Sequence, residues 1–316
     1  MMNKTQDILN EVKKIILGKD DIIAKVFMCI LANGHVLLED IPGVGKTTLA
    51  LSFSKVLGLD YKRVQFTSDS VPSDIIGFSM YNKETGGFDY VPGSVMTNLL
   101  LADEINRTSS KTQSALLEVM GEGNVTVDGT TYPVPKPFNV IATQNPVGSA
   151  GTQMLPHAQL DRFMVRLHMG YPAFSEQVNI LRDRHTINPL DNARQVTTVD
   201  ELLDMQRQIV AVFISDYIYE YVTELAQATR EHPMVTLGLS PRGALAVCSM
   251  AKAYAYTAGR DYVVPEDVFA IFGDVCGHRI VLSPKAKMSE MTSADVIEEV
   301  LKEVKMPVEA TQSAAK

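Results

Sequence analysis

The segment Gly43-Val44-Gly45-Lys46-Thr47 constrains the fold of this chain more than any other stretch of the sequence. It lies between residues 35–39, a predicted short buried strand, and a helical pattern that starts at Lys46. Glycine at positions 43 and 45 lets the backbone adopt dihedral angles that turn successive N–H groups inward, and the following helix N-terminus adds positive potential. A strand, a glycine-rich loop and a helix in this order are typical of a phosphate-binding loop.

The chemistry of such a loop assigns roles to its last residues. Lys46 would bridge the β- and γ-phosphates of a nucleotide, and the Thr47 hydroxyl would ligate Mg²⁺. The generic motif opens with Gly, whereas this chain has Asp40 at that position. The predicted nucleotide-binding residues of the loop are Pro42, Gly43, Val44, Gly45, Lys46, Thr47 and Thr48.

Two adjacent carboxylates follow a second apolar run. Residues 99–102 are apolar, and Asp103 and Glu104 come directly after them. A buried strand would present Asp103 at its carboxyl end beside the phosphate loop, where Mg²⁺ requires an oxygen ligand. Glu104 would then face the attacking water as a general base. Taken alone, such a pair is as typical of a solvated turn, and the phosphate loop upstream favours the catalytic interpretation.

Three polar residues farther along the chain are candidates for the same site. Asn145 follows an apolar strand pattern, and a strand between the loop-bearing and acid-bearing strands would place its amide near the γ-phosphate. Ser240 and Pro241 predict the start of a helix, with Arg242 in its first turn. Arg162 and Arg242, each taken alone, are more typical of surface or salt-bridging residues, but their order after the nucleotide motifs favours a catalytic role.

The secondary-structure pattern changes character along the chain. Up to about residue 172, helical and strand patterns alternate, which predicts an α/β core with a parallel sheet. Helical periodicity dominates residues 173–306 and predicts a smaller all-helical domain. The small and polar tail, residues 307–316, is expected to be disordered.

Local signals within the core predict an insertion and a hairpin. Proline and glycine interrupt residues 69–92, whereas Asp128-Gly129 between two short strand patterns predicts a type I′ turn. A helix is expected over residues 110–120, with a capping box formed by Ser110 and Gln113 and an end at Gly121.

Composition and charge exclude several classes of protein. Hydrophobic residues make up 46% and charged residues 21% of the chain, as in soluble globular proteins. The net charge of −8 argues against coating of nucleic acid by bulk electrostatics. No apolar run is long enough to span a membrane, and Cys29, Cys248 and Cys276 show no metal-ligand spacing. We expect free, buried thiols and a cytoplasmic location.

The motifs also discriminate among nucleotide-binding proteins. The guanine-reading Asn-Lys-x-Asp motif of GTPases and the Leu-Ser-Gly-Gly-Gln signature of transporters are both missing from the sequence. Over nearly its whole length the chain resembles the MoxR family of AAA+ ATPases. The matching stretches are residues 38–47, 102–107, 111–118, 142–146, 160–163 and 240–242. Asp103-Glu104-Ile105-Asn106-Arg107 is the most family-specific of them.

This resemblance implies a P-loop AAA+ fold, an α/β parallel-sheet core (residues 1–172) followed by a helical lid (173–306), with ATP and Mg²⁺ as cofactors. It implies that Lys46 and Thr47 belong to the Walker A motif, and that Asp103 and Glu104 are the Walker B acids. Asn145 would be sensor 1, Arg242 sensor 2, and Arg162 an arginine finger acting on the neighbouring subunit. The insertion would be the helix-2 insert and the hairpin the pre-sensor-1 hairpin.

The function expected from this resemblance is ATP hydrolysis coupled to remodelling or maturation of a protein client. An oligomeric ring, with a hexamer favoured, and a partner containing a von Willebrand A domain are implied as well. Two alternatives remain open at this point: a nucleotide-gated scaffold with little turnover, and a nucleic-acid motor on the same core. Glu104 and Asn145 argue against the first, and the acidic charge argues against the second.

Overall fold

The computed structural model describes residues 2–41, 43–145, 154–183 and 188–307. Two compact units make up the chain, Met1–Gln208 and Ile209–Lys316. Pro42 of the predicted nucleotide site and residues 308–316 of the predicted tail lie outside the described residues.

The first unit combines strands and helices in alternation. Its helices are α1 (Met2–Ile15), α2 (Asp20–Leu31), α3 (Lys46–Leu57), α4 (Pro72–Ile76), α5 (Ser110–Glu122), α6 (His157–Leu160), α7 (Phe174–Asp183) and α8 (Val199–Val210), the last of which runs past the boundary of the unit. Its strands are β1 (Val36–Glu39), β2 (Tyr61–Gln65), β3 (Gly77–Asn82), β4 (Gly87–Pro92), β5 (Leu99–Asp103), β6 (Asn124–Val127), β7 (Thr130–Pro133), β8 (Asn139–Gln144) and β9 (Val165–Leu167).

A five-stranded parallel sheet with the order β2-β5-β8-β1-β9 forms the centre of this unit. Every residue of β1, β5 and β8 is buried. Parallel sheets are covered by helices on both faces, so their strands read as continuous apolar runs. The α/β core is therefore confirmed, as is the expectation that β8 lies between the loop-bearing and acid-bearing strands.

Two hairpins project from the core. The β3–β4 hairpin belongs to the insertion, and the β6–β7 hairpin turns at Asp128 and Gly129, whose φ angles are 48° and 81°. Positive φ at both positions is the requirement of a type I′ turn, which confirms the prediction. Tyr90 of β4 stacks on Tyr132 of β7 with ring centroids 4.1 Å apart. The insertion and the hairpin are therefore in direct contact.

The ends of α5 differ from the prediction. The N-cap is Ser109, whose side chain accepts a hydrogen bond from the Thr112 amide, rather than Ser110. The helix ends at Gly123, which has a φ of 67°, and not at Gly121. Gly121 lies inside the helix, where a Cβ atom would come within 2.3 Å of Arg162 Nη1. This glycine therefore makes room for an arginine and does not cap the helix.

The second unit is mainly helical. Its helices are α9 (Asp216–Glu231), α10 (Pro241–Thr257), α11 (Pro265–Cys276), α12 (Pro284–Met288) and α13 (Ser293–Glu303). Two short antiparallel strands, β10 (Val235–Leu237) and β11 (Val281–Leu282), add a small sheet that an all-helical prediction omits. Strands this short contain too few residues to show an alternating pattern.

The two units divide after Gln208, whereas the predicted boundary lies near residue 172. Residues between α7 and α8 pack on the first unit: the Val196 amide donates to the Val56 carbonyl over 2.8 Å, and the Arg194 amide donates to Glu11 Oε1 over 3.1 Å. The Gln195 side chain lies against Gly58. Helical periodicity marks a change of secondary structure near residue 172, but it carries no information on which unit a segment packs against.

The three cysteines are thiols outside any disulfide, and Cys29 and Cys276 are fully buried. Burial raises the pKa of the Cys248 and Cys276 thiols, so both side chains are small apolar groups rather than reactive thiolates. Among the described residues, no helix is both long and apolar enough to cross a membrane.

The second unit contains an ion pair between Arg260 and the buried Asp267, and its contribution to stability can be tested by removing the carboxylate. Asp267, 1% exposed, accepts two hydrogen bonds from Arg260 and one from the Val264 amide. Asp267→Ala leaves the guanidinium without its partner, and we expect it to lower the free energy of unfolding by about 3–5 kcal/mol in urea titrations. Glu298→Ala, which removes an exposed ion pair with Lys302, should change it little. Equal effects of the two variants would contradict this account.

Candidate functional site

The phosphate loop connects β1 to α3. Gly43 and Gly45 have φ angles of 87° and 98°, in the left-handed region that favours glycine. Among the described residues, a Cβ atom on Gly43 would meet no heavy atom within 4 Å, and the nearest one to a Cβ on Gly45 would be Met169 Cε at 3.9 Å. Backbone conformation, and not a lack of room for a side chain, is therefore what requires glycine at both positions.

Lys46, the first residue of α3, points back across this loop. Its Nζ donates to the Asp40 carbonyl over 2.6 Å and to the Ile41 carbonyl over 3.1 Å. Burial lowers the pKa of the ammonium group. Three carboxylates lie close enough to oppose that shift: those of Asp40, Asp103 and Glu104. The structure thus brings the lysine of the loop and the two acids at the carboxyl end of β5 into one electrostatic environment.

Asp40, which departs from the generic motif, holds the loop in place. Its Oδ1 accepts a hydrogen bond from the Ile41 amide over 2.9 Å, and its Oδ2 accepts one from the Gly170 amide over 2.5 Å. The side chain is buried, so both oxygens need partners. Asp40 therefore connects the start of the loop to the segment after β9, a role that glycine has no atoms to fill.

Asp103 ends β5 with both carboxylate oxygens bound. Oδ1 accepts from the Thr143 hydroxyl over 2.6 Å, and Oδ2 pairs with Arg63 Nη2 at the same distance. Arg63 lies on the neighbouring strand β2, as does Tyr61, whose pKa burial raises to about 12. The carboxylate is thus held in one orientation by a strand on each side.

Glu104 follows Asp103 with a φ of 56°, which is unusual for a residue other than glycine. Its amide donates to the Thr143 hydroxyl over 2.9 Å. Its Oε2 accepts from Gln65 Nε2 over 2.8 Å and from Arg107 Nη1 over 2.9 Å. The left-handed turn takes Glu104 out of the strand direction, so the two adjacent carboxylates have separate sets of partners.

Asn145 comes directly after β8, at the same edge of the sheet. Its carbonyl accepts a hydrogen bond from Asn106 Nδ2 over 3.2 Å. Asn106 belongs to the turn after Glu104, and its buried Oδ1 has no hydrogen-bond partner among the described residues. The segments that follow β5 and β8 are therefore joined, as the strand order requires.

The two predicted arginines occupy different units. Arg162 follows α6, is partly buried, and donates from Nη1 to the Leu117 carbonyl of α5 over 2.7 Å. Arg242 is exposed in the first turn of α10, which begins as predicted with Ser240 as N-cap and Pro241 as first residue. Within the first unit, the carboxylates of Asp103 and Glu104 act on the pKa of Lys46, and Asn145 follows β8, which lies between β1 and β5.

The donor set suits Mg²⁺ and a nucleotide. Thr47 offers a hydroxyl and Asp103 a carboxylate, the hard oxygen ligands that Mg²⁺ prefers. No group of three or more His, Cys, Asp or Glu able to hold a metal ion occurs among the described residues. Mg²⁺ usually binds through one or two protein oxygens together with substrate phosphates. The residues present therefore fit the cation when it arrives with a nucleotide.

Three residues of this site were not singled out from sequence: Thr143, Gln65 and Arg63. Thr143 lies in the stretch of residues 142–146 that contains Asn145. A hydroxyl side chain two residues before Asn145, directly after three apolar residues, is the sequence signal that could have identified it. Gln65 and Arg63 lie on β2, whose residues are exposed or partly buried in the structure. Their relevance depends on the pairing of β2 with β5, which the sequence does not reveal.

Comparison with known proteins identifies the class of this fold and site. A family model described as "ATPase family associated with various cellular activities (AAA)" matches residues 35–165, and one described as "AAA lid domain" matches residues 227–300. A solved crystal structure from Cytophaga hutchinsonii superposes with a TM-score of 0.91 at 37% identity, covering 97% of this chain and 96% of that one. The protein is an AAA+ ATPase by fold, with an α/β core and a lid.

Sequence relatives narrow the assignment. The chain is 41% identical to Chaperone MoxR1 of Mycobacterium tuberculosis, over 94% of this chain and 81% of that protein. It is 31% identical to Protein MoxR of Methylorubrum extorquens, over 93% and 91%, and 46% identical to YeaC of Bacillus subtilis, over 95% and 94%. The chain belongs to the MoxR family of AAA+ ATPases.

Replacement of Asp40 tests whether this residue orders the loop. Asp40→Gly restores the generic motif but removes two hydrogen-bond acceptors, and we expect it to cost about 2 kcal/mol of unfolding free energy. Fluorescent-nucleotide titration should also show weaker binding. Asp40→Asn, which keeps one carbonyl oxygen, should fall between Asp40→Gly and the wild type. A glycine variant as stable as the wild type would show that the loop orders itself without this side chain.

Proposed function

We propose that this protein hydrolyses ATP to ADP and phosphate and couples the reaction to the remodelling or maturation of a protein client. The observation that carries the proposal is that β1, β8 and β5 are neighbours in one parallel sheet, so the phosphate loop with Lys46 and the acids Asp103 and Glu104 lie at the same edge of it. The charges of both carboxylates act on the pKa of Lys46 there. A phosphate-binding cation, a metal-binding acid and a potential general base are the minimum set for phosphoryl transfer to water.

In this proposal the loop binds the phosphates through backbone amides and Lys46. Binding replaces the contacts that Lys46 makes with the Asp40 and Ile41 carbonyls by contacts with phosphate oxygens. Thr47 and Asp103 would hold Mg²⁺, and the cation would supply positive charge beside the transferred phosphoryl group. Because little covalent chemistry falls to the protein, positioning and electrostatic stabilisation account for most of the catalysis.

Glu104 activates and Asn145 orients the attacking water. Both residues follow central strands of the sheet, and hydrogen bonds from Gln65 and Arg107 hold the Glu104 carboxylate. A general base must be held within hydrogen-bond reach of the proton that it removes. The contacts of Glu104 provide this orientation without occupying both of its oxygens, since both bonds go to Oε2.

The active form in this proposal is a ring, with a hexamer favoured by the family resemblance. Arg242 acts as sensor 2 from the lid, and Arg162 reaches the γ-phosphate held by the neighbouring subunit. A guanidinium carries five N–H donors, so the bond from Arg162 to the Leu117 carbonyl leaves donors for a phosphate. Activity would then depend on assembly of the subunits in the cytoplasm.

The insertion is the segment best suited to contact a client. Four apolar side chains of the β3–β4 hairpin are exposed, from 47% for Phe78 to 73% for Phe88, the others being Met80 and Tyr81. Exposed apolar groups clustered on one element are typical of protein-binding surfaces. The Tyr90–Tyr132 stack connects this hairpin through β7 to β8 and the nucleotide site. A partner with a von Willebrand A domain, implied by the family resemblance, would direct the activity.

Glu104→Gln separates binding from turnover. The amide preserves size and polarity but removes the base, so ATP should bind as in the wild type while turnover falls by about 10²-fold or more. Nucleotide titration and phosphate release measure the two properties. Glu118→Gln, an exposed change on α5, serves as control. Wild-type turnover by Glu104→Gln would remove this residue from the mechanism.

Arg162→Ala tests action between subunits. We expect normal nucleotide binding and a loss of hydrolysis of about 10³-fold, because the developing charge loses its cation. Mixing this variant with Lys46→Ala should restore activity, since the Lys46→Ala subunits still supply Arg162. Specific activity of the wild type should also rise steeply with protein concentration.

The control for this experiment is Arg182→Ala, an exposed arginine on α7. Thermal unfolding of each variant shows whether loss of the contact between Arg162 and α5 has affected folding. Full activity of Arg162→Ala would eliminate the finger, and concentration-independent turnover would argue against a shared site.

A further inference from the structure

Thr143 is a buried polar residue at the centre of the sheet. It lies on β8 after the apolar Val140, Ile141 and Ala142, and is 1% exposed. A buried hydroxyl costs free energy unless it is hydrogen-bonded. Valine would fill nearly the same volume in this strand, so packing alone gives no reason for the hydroxyl.

Both partners of this hydroxyl come from the acid pair. A carboxylate paired with a guanidinium can only accept, so the hydroxyl donates its one proton to Asp103 Oδ1, 2.6 Å away. A backbone amide can only donate, so the hydroxyl oxygen accepts from the Glu104 amide, 2.9 Å away. The direction of each bond is therefore determined by the chemistry of the three groups.

One of these hydrogen bonds acts on the Asp103 side chain, and the other acts on the Glu104 backbone. The first fixes the orientation of the Asp103 carboxylate, and the second holds the backbone of Glu104 where its φ of 56° takes the chain out of the strand. This turn decides where the Glu104 carboxylate points, namely toward Gln65 and Arg107. Loss of the hydroxyl would remove one contact from each acid at once, leaving Asp103 held by Arg63 and Glu104 by its side-chain contacts.

We propose that Thr143 is a positioning residue for hydrolysis: its hydroxyl joins the metal-binding acid Asp103 and the water-activating acid Glu104 into one rigid unit. This inference rests on the proposed function, because it is the roles of those acids that give the positioning a consequence. Thr143 contacts neither nucleotide nor water in this scheme and acts only through its two neighbours.

Thr229 provides a matched control in the second unit. It is fully buried, its hydroxyl donates to the Ala226 carbonyl over 2.6 Å, and it accepts from the Leu239 amide over 2.9 Å. Thr143→Val and Thr229→Val thus remove equivalent buried hydroxyls, one beside the acids and one elsewhere. Thr143→Ser retains the hydroxyl without the methyl group.

The experiment measures kcat and KM for ATP, Mn²⁺ affinity in the presence of ADP by electron paramagnetic resonance, and Tm. Thr143→Val should lower kcat and weaken Mn²⁺ binding by about 10–100-fold, as outer partners of metal sites typically do when removed. KM for ATP should change little. Thr143→Ser should restore both kcat and Mn²⁺ affinity. Thr229→Val should lower Tm comparably yet keep the wild-type kcat and Mn²⁺ affinity. Thr143→Ala replaces the valine variant if that variant does not fold.

Two results would overturn the inference alone: a Thr143→Val protein with wild-type kcat and Mn²⁺ affinity, or a serine variant as impaired as the valine variant. The second result would mean that the methyl group and its packing matter, and not the hydroxyl. A wild-type protein that neither hydrolyses ATP nor binds Mn²⁺ with ADP would overturn the proposed function and the inference together.

Discussion

The pairing of β8 with both β1 and β5 is the constraint on which the rest of the site depends. Parallel strands end at one edge of a sheet, so this order brings together the segments that follow the three strands. The phosphate loop follows β1, Asp103 ends β5 with Glu104 directly after it, and Asn145 follows β8. If another strand occupied the place of β8, the amide of Asn145 would not lie between the loop and the acids.

Charge balance explains how so many ionisable groups share this edge. Asp103 pairs with Arg63, Glu104 with Arg107, and Lys46 with carbonyls of its own loop. Asp103 is the buried member of these pairs, and its carboxylate would carry a desolvation cost without a partner. In the proposed reaction, phosphate oxygens and Mg²⁺ compete for Lys46 and Asp103, so nucleotide binding would redistribute existing contacts rather than fill a site of unpaired groups.

The differences between prediction and structure arise where backbone geometry or side-chain packing decides an outcome that a local sequence pattern does not report. The cap of α5 is Ser109 rather than Ser110, because adjacent serines offer the same signal and backbone geometry selects one. Gly121 looks like a helix end in sequence, whereas the nearby Arg162 side chain accounts for it. The division between units depends on packing of residues 188–208 against α1 and α3, which helical periodicity does not report.

By itself the sequence determined the fold class, the phosphate loop, the acid pair and most helices and core strands, because glycine, proline, capping residues and apolar periodicity act locally. It also indicated the family. Only the tertiary structure decided that Asp40 fastens the loop to Gly170, that Thr143 joins the two acids, and that Arg63 and Gln65 reach them from β2. Those contacts connect residues far apart in the chain, and their partners are set by strand order and register rather than by any local pattern.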